Sequence, residues 1–172
     1  MRRLVLKLLL AIDDSPCSQA AVDAVIAERD PVGTSVQVLH VVEWPNGGPA
    51  YLWFATGPAA IDGVLALRER ALDAGRLLAA RAAERLQSAG FPVSTNVRAG
   101  DARDEIVDAA RRLPADLIVM GSHGRRGLDR FALGSVAETV VRRAACSVQI
   151  VRRAKVTAAR TSRGAEHSQV NA

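Results

Sequence analysis

A set of glycines in the last third of the chain has the spacing of a phosphate-binding loop. Gly121 and Gly124 stand close together, and nine residues then precede Gly134 and Ser135. Glycine lets backbone N–H groups approach an oxyanion without a Cβ in the way, and a helix amino terminus adds unpaired donors and a partial positive charge. The apolar residues before Gly121 are typical of a strand, and those after Gly134 are typical of a helix. The spacing therefore predicts a loop that binds the phosphates of a nucleotide.

The length of this connection favours a binding loop over an ordinary turn. About thirteen residues join the predicted strand to the predicted helix, whereas about two to six are usual. The loop is neither a P-loop, which needs GxxxxGK[ST], nor the GxGxxG motif that opens a first βα unit. A capping box would explain Ser135 and Glu138 alone, without the glycines. A glycine-rich loop that binds no ligand is the remaining alternative.

An acidic residue at the end of the first apolar run is the second candidate for ligand chemistry. In an open parallel sheet, ligands bind beyond the carboxyl ends of the strands, where the strand order reverses. Asp13 would lie there, facing the glycine loop, and would accept hydrogen bonds from ribose hydroxyls. One alternative is a helix cap beside Asp14. Another is the metal-binding acidic pair of a receiver domain, although the acceptor aspartate and the lysine of such a domain are missing.

Strand and helix patterns alternate along the chain, and they predict the elements that position these residues. A stripe of Leu65, Leu72, Ala79 and Leu86 marks the longest helix. With right-handed crossovers, the alternation gives a parallel sheet with helices on both faces. We expect an α/β, Rossmann-like fold of three layers, whose five-stranded parallel sheet has the strand order 3-2-1-4-5. The predicted strands are 4–12, 35–42, 93–98, 116–120 and 147–151, and the predicted helices begin at 16, 61, 101 and 135.

Composition narrows the class of protein. The chain has 172 residues, a net charge of +5 and two distant cysteines, which do not suit a disulfide framework or a zinc site. Lys7 interrupts the first apolar run, which predicts a buried strand and not a signal peptide. The arginines are spread along helices, so we expect no nucleic-acid partner. The separate cysteines predict a reducing, cytoplasmic location. No apolar run approaches the length needed to cross a bilayer, so we expect no membrane. Residues 1–153 are expected to form one domain, and residues 154–172 a disordered tail.

These motifs together resemble the universal stress protein family. Gly121-x2-Gly124-x9-Gly134-Ser135 is similar to the ATP-binding signature of that family. Residues 8–15 resemble its first strand with the aspartate, and residues 39–42 resemble its second strand. The resemblance covers about residues 4–152, and it is most specific from 119 to 151.

The resemblance implies a particular ATP site with Mg²⁺. The backbone around Val41 would recognise the adenine, Asp13 would lie by the adenosine, and Arg125 and Arg126 would add charge near the phosphates. Mg²⁺ would be held mainly by phosphate oxygens and water. The family's dimers commonly use the last strand, so a homodimer through residues 148–151 is expected. The expected nucleotide-binding residues are Ala11, Ile12, Asp13, Val41, Met120, Gly121, Ser122, His123, Gly124, Arg125, Arg126, Gly127, Gly134, Ser135 and Val136.

Three functions follow from this sequence as hypotheses. The first is a stress-response regulator that reports ATP occupancy. The second is a slow ATPase or nucleotidyl-transfer enzyme, for which the chain offers no positioned base and no lysine against the phosphates. The third is a dimeric interaction module that does not depend on nucleotide. The aromatic residues between 44 and 61 are expected to cover a sheet edge, and His40 is expected to be an ordinary strand residue.

Overall fold

A parallel sheet of five strands forms the centre of the fold in the computed structural model, which describes residues 5–44, 61–124 and 133–152. The strand order is β3-β2-β1-β4-β5. The predicted fold class and strand order are therefore confirmed. The strands are β1 (Leu6–Ile12), β2 (Thr34–Glu43), β3 (Val93–Gly100), β4 (Leu117–Gly121) and β5 (Ser147–Val151).

Helices cover both faces of the sheet because successive residues of β1 point to opposite sides. Leu8 and Leu10 pack with the first two helices, whereas Leu9 and Ala11 pack with the last two. In β1 the buried residues run without interruption from Leu8 to Ile12, as is usual for a parallel strand covered on both faces. The helices are α1 (Pro16–Glu28), α2 (Ile61–Ser88), α3 (Ala102–Arg112) and α4 (Ser135–Arg143), and a 3-10 turn spans Pro31–Gly33.

Local signals set several helix ends where the sequence predicts them. Ser15 caps α1 by accepting a hydrogen bond from the Ser18 backbone N–H, and Pro16 occupies the first helical position. Gly90 follows α2 with a φ of 89°, a conformation that favours glycine at a helix end. Asp101 caps α3.

The strands β2 and β3 are longer than predicted. β3 continues to Gly100, which pairs with Glu43 of β2, whereas the pairing of β1 with β2 ends at Ile12 and His40. The ends of β2 and β3 therefore extend past β1, and α3 begins beside them. This extra length contributes a wall to the site described below.

The apolar stripe predicted on α2 is buried only from its second member onward. Leu65 is 42% exposed, and the first buried residue of this helix is Leu72. Periodicity marks a helical face but does not reveal where that face leaves the sheet.

Several predictions concern residues outside those described. They are the aromatic cover by Tyr51, Trp53 and Phe54 and the disordered tail at 154–172. In the ranges that are described, no helix is both long and apolar enough to cross a membrane. Cys17 and Cys146 are free thiols.

Candidate functional site

A cavity of about 380 Å³ lies at the carboxyl edge of the sheet, between the ends of β1, β2 and β4 and the first turns of α3 and α4. The sequence predicts a site at this edge, and the predicted residues meet here. Arg125, Arg126 and Gly127 lie outside the described residues. The other predicted residues all line the cavity: Ala11, Ile12, Asp13, Val41, Met120, Gly121, Ser122, His123, Gly124, Gly134, Ser135 and Val136.

The amino terminus of α4 presents open backbone donors to this cavity. Gly134 occupies the cap position and makes no side-chain cap hydrogen bond, and the first intrahelical bond is donated by Glu138 to the Gly134 carbonyl. The capping box predicted at Ser135 and Glu138 is therefore wrong. The helix begins one residue earlier than that motif requires, because the Gly134 N–H is fixed by the Ser122 carbonyl at 2.9 Å. Backbone N–H groups at a helix start, left without a cap, are suited to an anion.

The three glycines of the motif lie at three different close approaches. A Cβ at Gly121 would lie 2.8 Å from the backbone carbon of Cys17 in α1. A Cβ at Gly124 would lie 2.8 Å from Oδ2 of Asp13, and one at Gly134 would lie 3.0 Å from the Ser122 carbonyl oxygen. Gly121 thus lets α1 pack against the end of β4. Gly124 and Gly134 let the backbone lie close to Asp13 and Ser122 at the cavity wall.

Asp13 is held in place by a side chain of α1. Its Oδ1 accepts a hydrogen bond from the Ser18 hydroxyl at 2.6 Å, and its backbone N–H donates to the same hydroxyl oxygen at 2.8 Å. Ser15, not Asp13, caps α1, so the capping alternative for Asp13 is wrong. The carboxylate is oriented and lines the cavity. This arrangement suits hydrogen-bond donors on a ligand.

His123 carries a buried polar atom without a partner. Its Nδ1 lies 3.0 Å from the Ser122 hydroxyl oxygen, whereas Nε2 is buried and has no hydrogen-bond partner among the described residues. Buried polar atoms are normally paired, so this unpaired nitrogen, on a residue that lines the cavity, needs a partner from outside the described residues. The His123 backbone is fixed in turn, since its carbonyl accepts a hydrogen bond from the Ser15 hydroxyl at 3.3 Å.

Some lining residues were not predicted. His40, expected to be an ordinary strand residue, lines the cavity, and its Nδ1 lies 2.9 Å from the Ile12 carbonyl oxygen. Ligands bind beyond the carboxyl ends of parallel strands, and this holds for β2 and β3 as much as for β1 and β4. The residues that end or follow β2 and β3 could therefore have been predicted to line the site. The unpredicted lining residues are Ser18, Leu39, His40, Glu43, Ala102, Arg103, Ile106 and Ala137.

The cavity offers no metal centre of its own among the residues described. No group of three or more His, Cys, Asp or Glu side chains is positioned there to hold a metal ion. The chemistry that the wall can supply is an anion subsite at α4, an acceptor at Asp13, and an apolar surface formed by Leu39, Val41 and Ile106.

Comparison with known proteins agrees with this geometry. A model of the universal stress protein family matches residues 5–152. Universal stress protein MJ0531 of Methanocaldococcus jannaschii is 46% identical over 66 residues, which cover 38% of this chain and only 39% of that protein. Universal stress protein YxiE of Bacillus subtilis is 29% identical over 154 residues, which cover 85% of this chain and 98% of that one.

Solved structures show the same fold. The structure of MJ0577, a universal stress protein of M. jannaschii, superposes with a TM-score of 0.73 at 25% identity and covers 88% of this chain and 99% of its own. A universal stress protein in complex with cAMP has a TM-score of 0.55 at 22% identity, covering 87% of this chain and 98% of that one. An Arabidopsis thaliana protein with AMP bound has a TM-score of 0.56 at 17% identity, covering 87% and 92%.

Proposed function

Because the chain belongs to the universal stress protein family, we propose that it binds ATP in the cavity at the carboxyl edge of the sheet and acts as a nucleotide-dependent regulator of a stress response. The observation that carries the proposal is the open amino terminus of α4, where Gly134 provides no side-chain cap and Ser135 and Val136 line the cavity. A phosphate group would satisfy these donors. Two proteins of this fold were solved with cAMP and AMP, which supports an adenine nucleotide as the ligand class.

The wall divides into regions that suit the parts of ATP. We assign the phosphates to the glycines and the start of α4, next to His123, whose Nε2 has no partner in the part of the chain that is described. The oriented carboxylate of Asp13 would accept hydrogen bonds from the ribose hydroxyls. The adenine would then lie against the apolar end at Leu39 and Val41. In this assignment Arg125, Arg126 and Gly127 complete the phosphate loop.

Mg²⁺ fits this site as part of the ligand. The phosphate oxygens and water would supply its coordination, while the Asp13 carboxylate on the wall stays with the ribose hydroxyls. The ion would neutralise phosphate charge, while the chain's own residues bind and orient the nucleotide.

Occupancy has a direct structural route to the sheet edge. Ser122 donates its backbone N–H to the Val151 carbonyl at 2.8 Å, and its own carbonyl accepts the Gly134 N–H. Ser122, which lines the cavity, is therefore hydrogen-bonded both to β5 and to the residue that caps α4. We propose that a homodimer forms through residues 148–151 of β5 and that nucleotide occupancy stabilises it. The two free thiols suit the reducing cytoplasm, where we place this function.

The test is calorimetric titration of Mg-ATP into nucleotide-stripped protein and a Ser135→Glu variant. Ser135 is exposed and is the first residue of α4. A carboxylate there repels phosphate but interacts favourably with the helix dipole, so the fold is retained. We expect saturable binding by the wild type and a loss of at least about tenfold in the variant, which corresponds to about 1.4 kcal/mol.

A matched control separates site charge from net charge. Gln87→Glu adds the same charge at an exposed position near the end of α2, away from the cavity, and should bind ATP like the wild type. No binding by a folded wild-type protein would refute the proposal. Equal binding by Ser135→Glu would move the phosphates away from α4. Substituting Gly121 is a poorer test, because its Cβ would collide with α1.

A further inference from the structure

Arg103 stands apart from the other arginines of α3. It lines the cavity, and among the lining residues that are described it is the one Lys or Arg side chain. Its nearest carboxylate is distant, with Nε 3.9 Å from Oδ1 of Asp101, and the side chain is 48% exposed. Arg111 and Arg112 make closer ion pairs, at 3.4 Å with Asp108 and 3.6 Å with Glu105. Arg103 is therefore free to turn toward a ligand without breaking a strong contact.

The topology places the start of α3, with Arg103, beside the ends of β2 and β3, on the side of the sheet away from β4. β3 neighbours β2 and lies three strand spacings from β4, which is about 14 Å at roughly 4.8 Å per spacing. Arg103 follows Gly100, which pairs with Glu43 at the end of β2. In addition, Asp104, the residue after Arg103, forms an ion pair of 2.6 Å with Arg143. Arg143 is the last residue of α4, so this contact is at the end of that helix and not at its start.

The surface near Arg103 is apolar and suits a flat ring. Leu39 and Val41 of β2 and Ile106 of α3 belong to one hydrophobic layer and line the same cavity. With phosphates at α4, the base of a nucleotide would reach this surface. We propose that the Arg103 guanidinium stacks on the exposed face of the nucleobase, whose other face lies on the apolar wall. This inference rests on the proposed function.

The chemistry favours stacking over phosphate pairing. A planar guanidinium is weakly hydrated and stacks on aromatic faces, where the ring quadrupole attracts its charge. Beside the ends of β2 and β3, the contact would be the same whether the ligand carries one phosphate or three. An arginine that paired with the outer phosphates would instead contribute more to ATP than to AMP.

The experiment compares AMP, ADP and Mg-ATP, each titrated into the wild type, Arg103→Ala, Arg103→Lys and Arg111→Ala. We expect Arg103→Ala to weaken binding about 3- to 10-fold, by the same factor for all three nucleotides. Arg103→Lys keeps the charge but loses the plane, and should recover only part of the affinity. Arg111→Ala, on the same helix but away from the cavity, should leave all three affinities unchanged. Thermal unfolding without nucleotide should not distinguish the variants.

Each contrary result has a separate meaning. A loss that grows with the number of phosphates would overturn stacking and make Arg103 a phosphate contact. Full rescue by Arg103→Lys would overturn stacking of the guanidinium plane, because charge alone would then be sufficient. Unchanged affinity in Arg103→Ala, with normal binding by the wild type, would overturn this inference alone. Failure of the wild type to bind any of the three nucleotides would overturn the proposed function, and this inference with it.

Discussion

Among single residues, the glycines show how one motif serves both folding and binding. The sequence predicts them as a cradle for phosphate, yet Gly121 is required first by α1, whose Cys17 lies where a Cβ would go. Gly124 instead approaches Asp13, and Gly134 approaches Ser122 and His123, and all three of these residues line the cavity. A glycine motif read from sequence therefore does not separate the residues that contact a ligand from those that let the scaffold close behind it.

This difference can be measured with Gly121→Ala. The new methyl group would meet the backbone carbon and Cβ of Cys17 at 2.8 Å, and α1 must shift to admit it. We expect the free energy of unfolding in urea to fall by about 1–3 kcal/mol, the usual cost of overpacking. Gly63→Ala is the control, since nothing lies within 4 Å of its Cβ and the residue belongs to α2. It should be neutral or stabilising by up to about 1 kcal/mol. Equal stability of the two variants would contradict the packing role of Gly121.

Residue types predicted the part of the cavity near β1 and β4 better than the part near the ends of β2 and β3. The glycines and Asp13 have a characteristic spacing, so the residues near β1 and β4 were predicted. Arg103 and Glu43 are exposed charged residues, and nothing in their spacing distinguishes them from solvated ones. Their place in the wall depends on how far β2 and β3 extend, which is a property of strand pairing.

For whole elements, α2 shows where periodicity succeeds and where it fails. Its stripe is correct for Leu72, Ala79 and Leu86, which are buried, but Leu65 lies on the first turns, which bury no residue. The helix has 28 residues, about 42 Å at 1.5 Å per residue. That is longer than the β2 and β3 strands on which it packs. The amino-terminal turns are helical without support from the sheet.

Two leucines of α2 give a paired test of this description. Leu86 is 0% exposed and belongs to the layer beneath α1 and α2, whereas Leu77 is 64% exposed. Leu86→Ala should lower the free energy of unfolding by about 2–5 kcal/mol, since it removes buried methyl groups and leaves a cavity. Leu77→Ala should change it by less than about 0.5 kcal/mol. Chemical denaturation measures both, and a large effect at Leu77 would mean that this face of α2 is covered.

At the scale of the whole molecule, the topology was predictable because alternating strands and helices with right-handed crossovers leave few arrangements. The site follows from that topology, since the carboxyl ends of parallel strands share one edge. The link between site and sheet edge was not predictable. It depends on hydrogen bonds of Ser122 to Val151 and Gly134, which no pattern of residue types specifies.

The proposed dimer through β5 can be tested by a substitution that removes one backbone N–H group, because the backbone groups of this strand point in known directions. β5 is an edge strand, and the Val151 carbonyl accepts from Ser122 at the end of β4. Polar groups of successive strand residues alternate in direction, so those of Val148 and Ile150 face outward, toward a second copy. Val148→Pro removes one outward N–H and keeps the pairing with β4, as proline does on edge strands. If these outward groups hold the dimer together, the molecular mass from light scattering at about 10 μM should be that of a dimer for the wild type. It should be largely that of a monomer for Val148→Pro.

The control is Val148→Thr, which keeps both the N–H and the β-branched shape and should remain dimeric. Mg-ATP should shift the wild type further toward the dimer, because a ligand that favours one state raises the population of that state. A monomeric wild type, with or without nucleotide, would contradict the role of β5. A dimeric Val148→Pro would place the interface on another surface. If the dimer forms and Mg-ATP does not affect it, the hydrogen bonds of Ser122 hold the edge strand in place without conveying occupancy to it, and the regulatory signal must leave the molecule at the cavity itself.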